Sequence, residues 1–286
     1  MPQTTLETLA TSPFSDQRPG TSGLRKKTRV FLQPHYLENF VQSVFDAVRE
    51  EGGTDFKNET LAVGGDGRYH NRAAIQTILK MAAANGFGHV LVGRGGILST
   101  PAMSAVIRRR AALGGLLLTA SHNPGGIDAD FGIKYNIRTG GPAPESVTER
   151  IYAHTLRISK YQRLAANDLD IEKEGTTVVG ECRITVMDPL QDYTEVMQEL
   201  FDFEALRNLF QGGFRLTFDA MHGVTGPYAR HIFQNCLGAP DGTVIHGTPL
   251  EDFGGCHPDP NQVHAAELVR LMAGSDASDM GAACDG

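Results

Sequence analysis

The chain has 286 residues, of which 41% are hydrophobic and 21% are charged, and its formal net charge is -7. These values are typical of a globular protein with one large or two ordinary domains. The net negative charge argues against a nucleic-acid partner, and no apolar run is long enough to span a bilayer, so we expect no membrane partner either.

The amino-terminal part of the chain combines a polar arm with a small basic motif. Residues 1–19 are rich in Thr, Ser, Pro and Gln, and we expect a loose arm there. The following string, P-G-T-S-G-L-R-K-K at residues 19–27, joins small residues to three adjacent cations. Small residues let a backbone approach a ligand, and Arg25 could bind phosphate oxygens through two nitrogens. For an isolated R-K-K, a solvated basic turn is the more common explanation.

Strands and helices alternate over the next part of the chain, which is typical of an α/β unit. Hydrophobic spacing predicts helices at residues 37–51, 72–86 and 101–113, and short strands at 61–63 and 90–92. A glycine-rich turn after the first strand contains Arg68, which we expect to brace a site instead of contacting substrate. Arg108, Arg109 and Arg110 are consecutive, so we expect them to point around a solvated helix face.

Residues 114–136 contain the stretch on which the functional prediction depends. An apolar run at 116–119 predicts a buried strand, and it ends in a string of turn formers that holds Ser121. The carboxyl ends of strands are where α/β sheets usually carry their chemistry. A returning strand at 131–136 brings Lys134 back near the same loop. Ser121 could be a plain turn serine, a hydrolase nucleophile without the G-x-S-x-G pattern, or a phosphorylated serine beside a cation.

The rest of the chain predicts a second α/β unit. A helix at 145–156 is followed by a polar segment at about 157–189, which we interpret as a linker between two domains. We count this linker with the first domain, which then comprises residues 1–189. The second domain, residues 190–286, should contain helices at 193–200, 203–210, 225–237 and 265–273 and strands at 214–218, 244–246 and 280–284.

Two strings of the first domain closely resemble the active-site loop of the α-D-phosphohexomutases, and more narrowly that of the phosphoglucomutases. They are T-A-S-H-N-P-G-G at residues 119–126 and D-F-G-I-K at residues 130–134. P-G-T-S-G-L-R at 19–25 is similar to the family's amino-terminal motif. The resemblance implies that Ser121 is the phosphoserine, that Lys134 is a basic catalytic and substrate-binding residue, and that Arg25 contacts substrate or phosphate. His122 would support the loop.

The second domain carries further strings of the same family. D-A-M-H-G at 219–223 and E-D-F-G-G-x-H-P-D-P-N at 251–261 resemble its second domain, and they contain His222 and His257. These histidines have no H-x-x-x-H or H-E-x-x-H partner, so we expect them to hold loops in shape instead of binding metal.

The last residues, Asp285 and Gly286, bear on the metal and on the architecture. In the family this place continues as D-G-D-G-D-R, whose aspartates bind Mg²⁺, and only Asp285 is present here. The resemblance therefore implies two consecutive α/β domains with mixed sheets, the first half of a four-domain enzyme. It also implies a Mg²⁺ held by phosphorylated Ser121 and Asp285. One carboxylate and one phosphoserine would bind the ion weakly, so we expect this chain to have little activity alone.

The resemblance implies an activity as well as a fold. The parent enzyme would interconvert α-D-glucose 1-phosphate and glucose 6-phosphate, with glucose 1,6-bisphosphate as intermediate and activator and a hexose phosphate as its partner. Two alternatives remain open: a non-catalytic fragment or short binding form, and another phosphohexomutase specificity.

The four cysteines are far apart and form no C-x-x-C pair, so we expect reduced thiols and a cytoplasmic location.

Overall fold

The computed structural model of the chain describes residues 5–20, 22–53 and 55–285. Thr21, inside the amino-terminal motif, and Gly286, after the final aspartate, lie outside these described residues. Within the described ranges, no helix is both long and apolar enough to cross a bilayer.

The first domain is organised around a seven-stranded sheet. Its strands, with two that pair elsewhere, are β1 (Thr5–Ala10), β2 (Leu24–Lys27), β3 (Thr60–Gly65), β4 (His89–Ile97), β5 (Gly114–Leu118), β6 (Asp130–Ile137), β7 (Lys160–Ala165), β8 (Gly175–Val179) and β9 (Cys182–Met187). The order across the sheet is β2-β6-β5-β3-β4-β9-β8. The central strands β5, β3, β4 and β9 run parallel, and β6 and β8 are antiparallel to their neighbours, so the expected mixed sheet is confirmed.

Helices cover both faces of this sheet. They are α1 (Thr28–Phe31), α2 (Tyr36–Gly52), α3 (Asn71–Ala84), α4 (Thr100–Arg109) and α5 (Glu145–Thr155). The larger core lies between the sheet and α2, α3 and α5, and the smaller core lies under α4. The hydrophobic spacing therefore predicted each long helix of this domain, although α4 ends at Arg109 instead of residue 113.

Strand β5 shows why this sequence supports a site at its end. All five of its residues are buried, because helices lie on both of its faces. A Cβ atom on Gly115 would lie 2.5 Å from the sulfur of Met103 in α4, so glycine lets this helix approach closely. The strand is thus fixed on both faces just before the chain turns at Thr119.

Two predictions about irregular chain were wrong. Residues 5–10 of the supposed loose arm form β1, which pairs antiparallel with β7, while residues 1–4 lie outside the described part of the chain. The supposed linker at about 157–189 contains three strands, and β9 joins the main sheet beside β4. Its buried residues alternate along the strand as Cys182, Ile184 and Val186, a period of two inside a polar context.

The second domain is built on a smaller sheet. Its elements are α6 (Gln191–Leu200), α7 (Phe203–Gln211), β10 (Leu216–Asp219), α8 (Thr225–Ala229), a π-helical turn (Arg230–Cys236), β11 (Val244–Ile245), α9 (Ala266–Met272) and β12 (Met280–Ala283). The described strands β11, β10 and β12 are parallel to one another, so the expected mixed pattern holds for the first sheet only. Strand β9 ends and α6 begins on either side of residue 189, and the domain boundary there stays our interpretation.

The two domains are joined by polar contacts between α4 and α6. The Asp192 side chain is 3% exposed, and it lies 3.6 Å from Arg109 Nε and 3.2 Å from Arg110 Nε. Arg109 also pairs with Glu195 and Glu199. Arg109 and Arg110 are exposed, as predicted, but both also pair with the buried carboxylate of Asp192, because a second domain packs beside that helix.

Candidate active site

Ser121 lies in a turn that begins directly after β5. Its backbone N–H donates to Thr119 Oγ1 at 2.9 Å, and Asn123 N donates to Ala120 O at 3.2 Å. The φ angle of Ser121 is +52°, in the left-handed region that side chains other than glycine adopt at an energetic cost. Residues in such strained conformations cluster at functional sites. The turn places Ser121 at the carboxyl edge of the central sheet.

Arg25 is the cation that contacts the serine hydroxyl. It lies in β2, opposite Gly132 of β6, and its Nη2 donates to Ser121 Oγ at 2.9 Å. A Cβ atom on Gly132 would lie 2.2 Å from Thr119 O and 3.2 Å from Arg25 Cγ, so glycine allows these three segments to meet. Arg25 Nε is buried without a hydrogen-bond partner among the described residues.

Lys134 lies in β6, the strand that follows the serine loop. We define the serine loop as residues 119–130, so that it ends at the first residue of β6. Lys134 lies opposite Leu117 of β5, and burial lowers the pKa of its amine, with the nearby charge of Arg25 lowering it further. The carboxylates of Asp66 and Asp285 act in the opposite direction on this pKa. Two cations thus lie together at the serine loop, which is the electrostatic setting that a phosphate group requires.

Asp285 follows β12 of the second domain and comes near the same loop. Burial raises the pKa of its carboxyl group, while His122 and Lys134 lower it and Asp66 and Asp259 add to the increase. The carboxylate is therefore half-buried and only partly compensated by cations. The structure brings its charge within range of His122 and Lys134, two residues of the predicted site.

The oxygen ligands at this site are of the type that a hard cation such as Mg²⁺ prefers, but there are too few of them to complete its coordination shell. Ser121 and Asp285 offer oxygen atoms, the ligand type that Mg²⁺ prefers, and the raised pKa of Asp285 marks a carboxylate that a cation would stabilise. Among the described residues, no three His, Cys, Asp or Glu side chains form a group that could hold a metal. A bound Mg²⁺ would therefore take its remaining ligands from phosphate and water.

His122 is exposed beside Ser121. Within residues 5–20, 22–53 and 55–285, no hydrogen bond joins its ring to the serine hydroxyl. The charge of His122 instead lowers the pKa of the Asp285 carboxyl group.

Arg68 holds the serine loop in shape, as predicted. Its side chain is fully buried, and its Nε pairs with Asp66 Oδ2 at 2.9 Å. Its Nη2 donates to Ser121 O at 2.8 Å, and its Nη1 donates to Asp130 O at 2.8 Å and to Asn123 O at 3.3 Å. The planar guanidinium thus satisfies three carbonyl groups of one loop, a role that lysine could not fill.

Sequence reasoning missed several residues that shape this loop. Thr28 Oγ1 donates to Gly126 O at 2.8 Å, and the ring of Phe253 from the second domain lies over Arg68. Nothing in the local pattern around Thr28 or Phe253 indicates these contacts, because both partners are distant in sequence. The G-G-D-G-R string did carry a signal for Asp66, as the acidic partner two residues before Arg68.

His222 stabilises a loop of the second domain, as expected. Its Nδ1 lies 3.0 Å from Thr248 O, and its ring is 4.9 Å from that of His246. The ring of His257 instead stacks on that of His264, 4.7 Å away. His222 and His257 therefore take part in separate contacts.

Two family models match the chain. The model described as phosphoglucomutase/phosphomannomutase, alpha/beta/alpha domain I, matches residues 16–162, and the model described as domain II matches residues 191–286.

Individual relatives agree with these matches. A phosphoglucomutase from Rhizobium radiobacter is 56% identical over 281 residues, which cover 98% of this chain and 51% of the relative. Phosphoglucomutase 1, chloroplastic, from Marchantia polymorpha is 50% identical and is covered to 43% of its length. The crystal structure of the Paramecium phosphoprotein pp63/parafusin, a phosphoglucomutase in its open form, has a TM-score of 0.92 and 44% identity, with coverage of 98% of this chain and 53% of that one. The chain thus spans about half the length of the relatives that it matches.

Proposed function

The chain belongs to the phosphoglucomutase/phosphomannomutase family, and on this premise we propose that it provides the phosphoryl-transfer site of a phosphoglucomutase. The activity would be the interconversion of α-D-glucose 1-phosphate and glucose 6-phosphate. The observation that carries the proposal is the contact of Arg25 Nη2 with Ser121 Oγ at 2.9 Å, beside the second cation Lys134.

In the proposed reaction, Ser121 carries the phosphoryl group as a phosphoserine. The bond between phosphorus and Ser121 Oγ breaks while a bond forms between phosphorus and a free hydroxyl oxygen of the hexose phosphate. The product, glucose 1,6-bisphosphate, then reorients and returns its other phosphoryl group to Ser121. Transfer of this kind depends mainly on positioning and on neutralisation of charge.

The residues of the site would divide this work among themselves. Arg25 would bind phosphoryl oxygens through Nη2, which contacts Ser121 Oγ, and Arg68 fixes the loop that carries the serine. The substrate hydroxyl loses one proton and Ser121 Oγ gains one, so the transfer has no net release of protons. Lys134, whose pKa is lowered by burial, is the group proposed to exchange such a proton.

Asp285 and the phosphate on Ser121 are the proposed ligands of Mg²⁺. When bound, this ion supplies a Lewis acid that withdraws charge from phosphoryl oxygens. His122, exposed beside the serine, is proposed to support the loop and the charge balance of Asp285. The preference for glucose over other hexose phosphates remains part of the proposal.

A cytoplasmic location is proposed as well. It is supported by the four free thiols, one buried, two half-buried and one exposed, because free cysteines are typical of reducing compartments.

The proposal can be tested by charging Ser121, that is, by transferring a phosphoryl group to its hydroxyl. The purified chain is incubated with glucose 1,6-bisphosphate and Mg²⁺, and phosphate is mapped by peptide mass spectrometry. We expect one phosphoryl group on Ser121, none on a Ser121→Ala variant, and normal charging of Ser146→Ala, a control at an exposed serine of α5. Equal charging of the Ser121→Ala variant would refute the assignment.

A further inference from the structure

A loop of the second domain packs against the serine loop of the first. We call residues 248–255 the second-domain loop. Tyr69 N, next to Arg68, donates to Glu251 O at 2.8 Å. A Cβ atom on Gly125 would lie 2.5 Å from Glu251 O and 3.0 Å from the ring of Phe253. Backbone from the second domain therefore lies directly against the turn that carries Ser121.

Phe253 lies over one face of the Arg68 guanidinium. The edge of the guanidinium is used by Asp66 and by the loop carbonyl groups, and its carbon lies 5.1 Å from the centroid of the Phe253 ring. Phe253 itself is 0% exposed. A guanidinium stacked on a desolvated aromatic face gains a cation–π attraction in addition to its hydrogen bonds.

The second-domain loop is held in turn by its own domain. Leu250 N donates to His222 O at 3.0 Å, and His222 N donates to His246 O at 2.9 Å. Asp252 Oδ1 accepts from Gly254 N at 3.0 Å, and Phe253 has a φ angle of +55°. The aromatic ring is therefore supported by an ordered backbone that continues to strand β11.

We propose that Phe253 is a positioning residue for Ser121 and acts through the guanidinium of Arg68. The second domain then orders the serine loop of the first domain by contacts remote from the reacting atoms. The positioning role rests on the proposed function of Ser121, whereas the packing of the second-domain loop on the serine loop does not.

A second interpretation has to be separated from this one. Phe253 could fill space in the core while Arg68 and Asp66 alone hold the serine loop. In that case a smaller apolar side chain would lower the stability of the protein without loosening the serine loop in particular.

Hydrogen exchange of the serine loop distinguishes the two interpretations. Five amides report on it, each with a hydrogen bond in the folded chain, namely Thr119, Ser121, Asn123, Ala129 and Asp130. In the full chain, Phe253→Leu should accelerate their exchange by about fivefold or more, the factor expected for loss of one desolvated cation–π contact. Phe210→Leu, a matched control at a buried phenylalanine of the second domain, should leave these amides unchanged. Equal acceleration in both variants, or in neither, would overturn the proposal.

Gly125→Ala provides a second test if Phe253→Leu fails to fold. Gly125 is part of a partly exposed loop, and the added methyl group pushes that loop away from Glu251 O and Phe253. The same amides should exchange faster in this variant than in Gly141→Ala, a control glycine whose added Cβ would meet only Thr139 Oγ1 at 3.6 Å. Unchanged exchange in Gly125→Ala would overturn the proposal.

Charging of Ser121 by glucose 1,6-bisphosphate, measured on the same variants, separates this inference from the proposed function. We expect the charging rate to fall with Phe253→Leu in parallel with the faster exchange and to stay normal with Phe210→Leu. A wild-type chain that takes up no phosphate, with exchange as expected, would refute the proposed function and leave the packing of the loops intact. Normal charging of Phe253→Leu would refute the positioning role alone.

Discussion

Arg25 Nη2 donates a 2.9 Å hydrogen bond to Ser121 Oγ across 96 positions of sequence. The contact exists because β2 pairs with β6, whose Gly132 leaves room for both the arginine and the turn after β5. The serine hydroxyl and a cation are thus placed together by the edge of the first sheet. This relationship links the fold directly to the proposed chemistry.

The first prediction concerns the geometry of Arg25. Arg25→Lys keeps the charge but loses the planar fork, so the rate of phosphate incorporation at Ser121 should fall about tenfold or more, as expected for loss of a charge-assisted hydrogen bond. The rate is measured by mass spectrometry after timed incubation with glucose 1,6-bisphosphate. Arg18→Lys, at an exposed pair with Glu149, serves as control and should charge normally. Normal charging of Arg25→Lys would contradict the role of the fork.

The second prediction concerns Asp285 and Mg²⁺. Because a ligand that binds the folded chain raises its melting temperature, Mg²⁺ should stabilise the phosphorylated chain, and a chelator should reverse the effect. Asp285→Asn should remove most of this shift, since it removes the proposed carboxylate ligand. Asp241→Asn, at an exposed site of the second domain, is the control and should retain the shift. The same shift in both variants would exclude Asp285 as a ligand.

The third prediction concerns the joint between the domains. Asp192→Ala leaves Arg109 and Arg110 without a buried partner, and we expect it to lower the free energy of unfolding by about 1–3 kcal/mol. Glu199→Ala removes an exposed partner of Arg109 from the same helix, and it should cost less than about 1 kcal/mol. Denaturant unfolding of both variants gives the comparison, and an equal cost would argue against the buried joint.

The fourth prediction concerns pH and His70. Burial lowers the pKa of this imidazole, whose ring packs against Phe131 of β6 at 5.2 Å. In the window between the lowered pKa and the ordinary value of 6.5, the unfolded chain binds the proton and the folded chain does not. Stability from this group is therefore complete above that ordinary value and is lost as the pH falls through the lowered pKa.

His70→Asn tests this directly. Asparagine tolerates the left-handed backbone of residue 70, whose φ angle is +73°, and it cannot titrate. The melting temperature of the variant should fall less on acidification than that of the wild type. His257→Asn, at an exposed histidine, should behave like the wild type. An identical acid dependence in all three proteins would refute the assignment to His70.

The spacing of hydrophobic residues predicted the helices and strands that pack against a hydrophobic core. Helix α2 follows directly from the spacing of apolar residues such as Phe40 and Val44, both buried. Strand β5 follows from its continuous apolar run. Strands β1 and β8 were missed because they are largely exposed edge strands with polar residues, held mainly by hydrogen bonds to a neighbouring strand.

The residues of the candidate site likewise include some that the sequence predicted and some that it did not. Ser121, Lys134 and Arg25 were predicted from short motifs, and the structure brings Arg25 and Ser121 into contact. Phe253 and Thr28 could not be predicted, because they reach the serine loop only through tertiary packing. The pairing of Arg109 and Arg110 with Asp192 could not be predicted for the same reason, since Asp192 belongs to another domain.

The central claim is that Ser121 carries a phosphoryl group that can be transferred to a sugar. The most direct measurement phosphorylates Ser121 with labelled glucose 1,6-bisphosphate, removes excess reagent, and follows a single turnover after addition of α-D-glucose 1-phosphate with Mg²⁺. The account predicts that the label leaves Ser121 and appears in equal amount as glucose 1,6-bisphosphate. Label that stays on the protein, or that is released as inorganic phosphate at the same rate with and without the sugar, would contradict it.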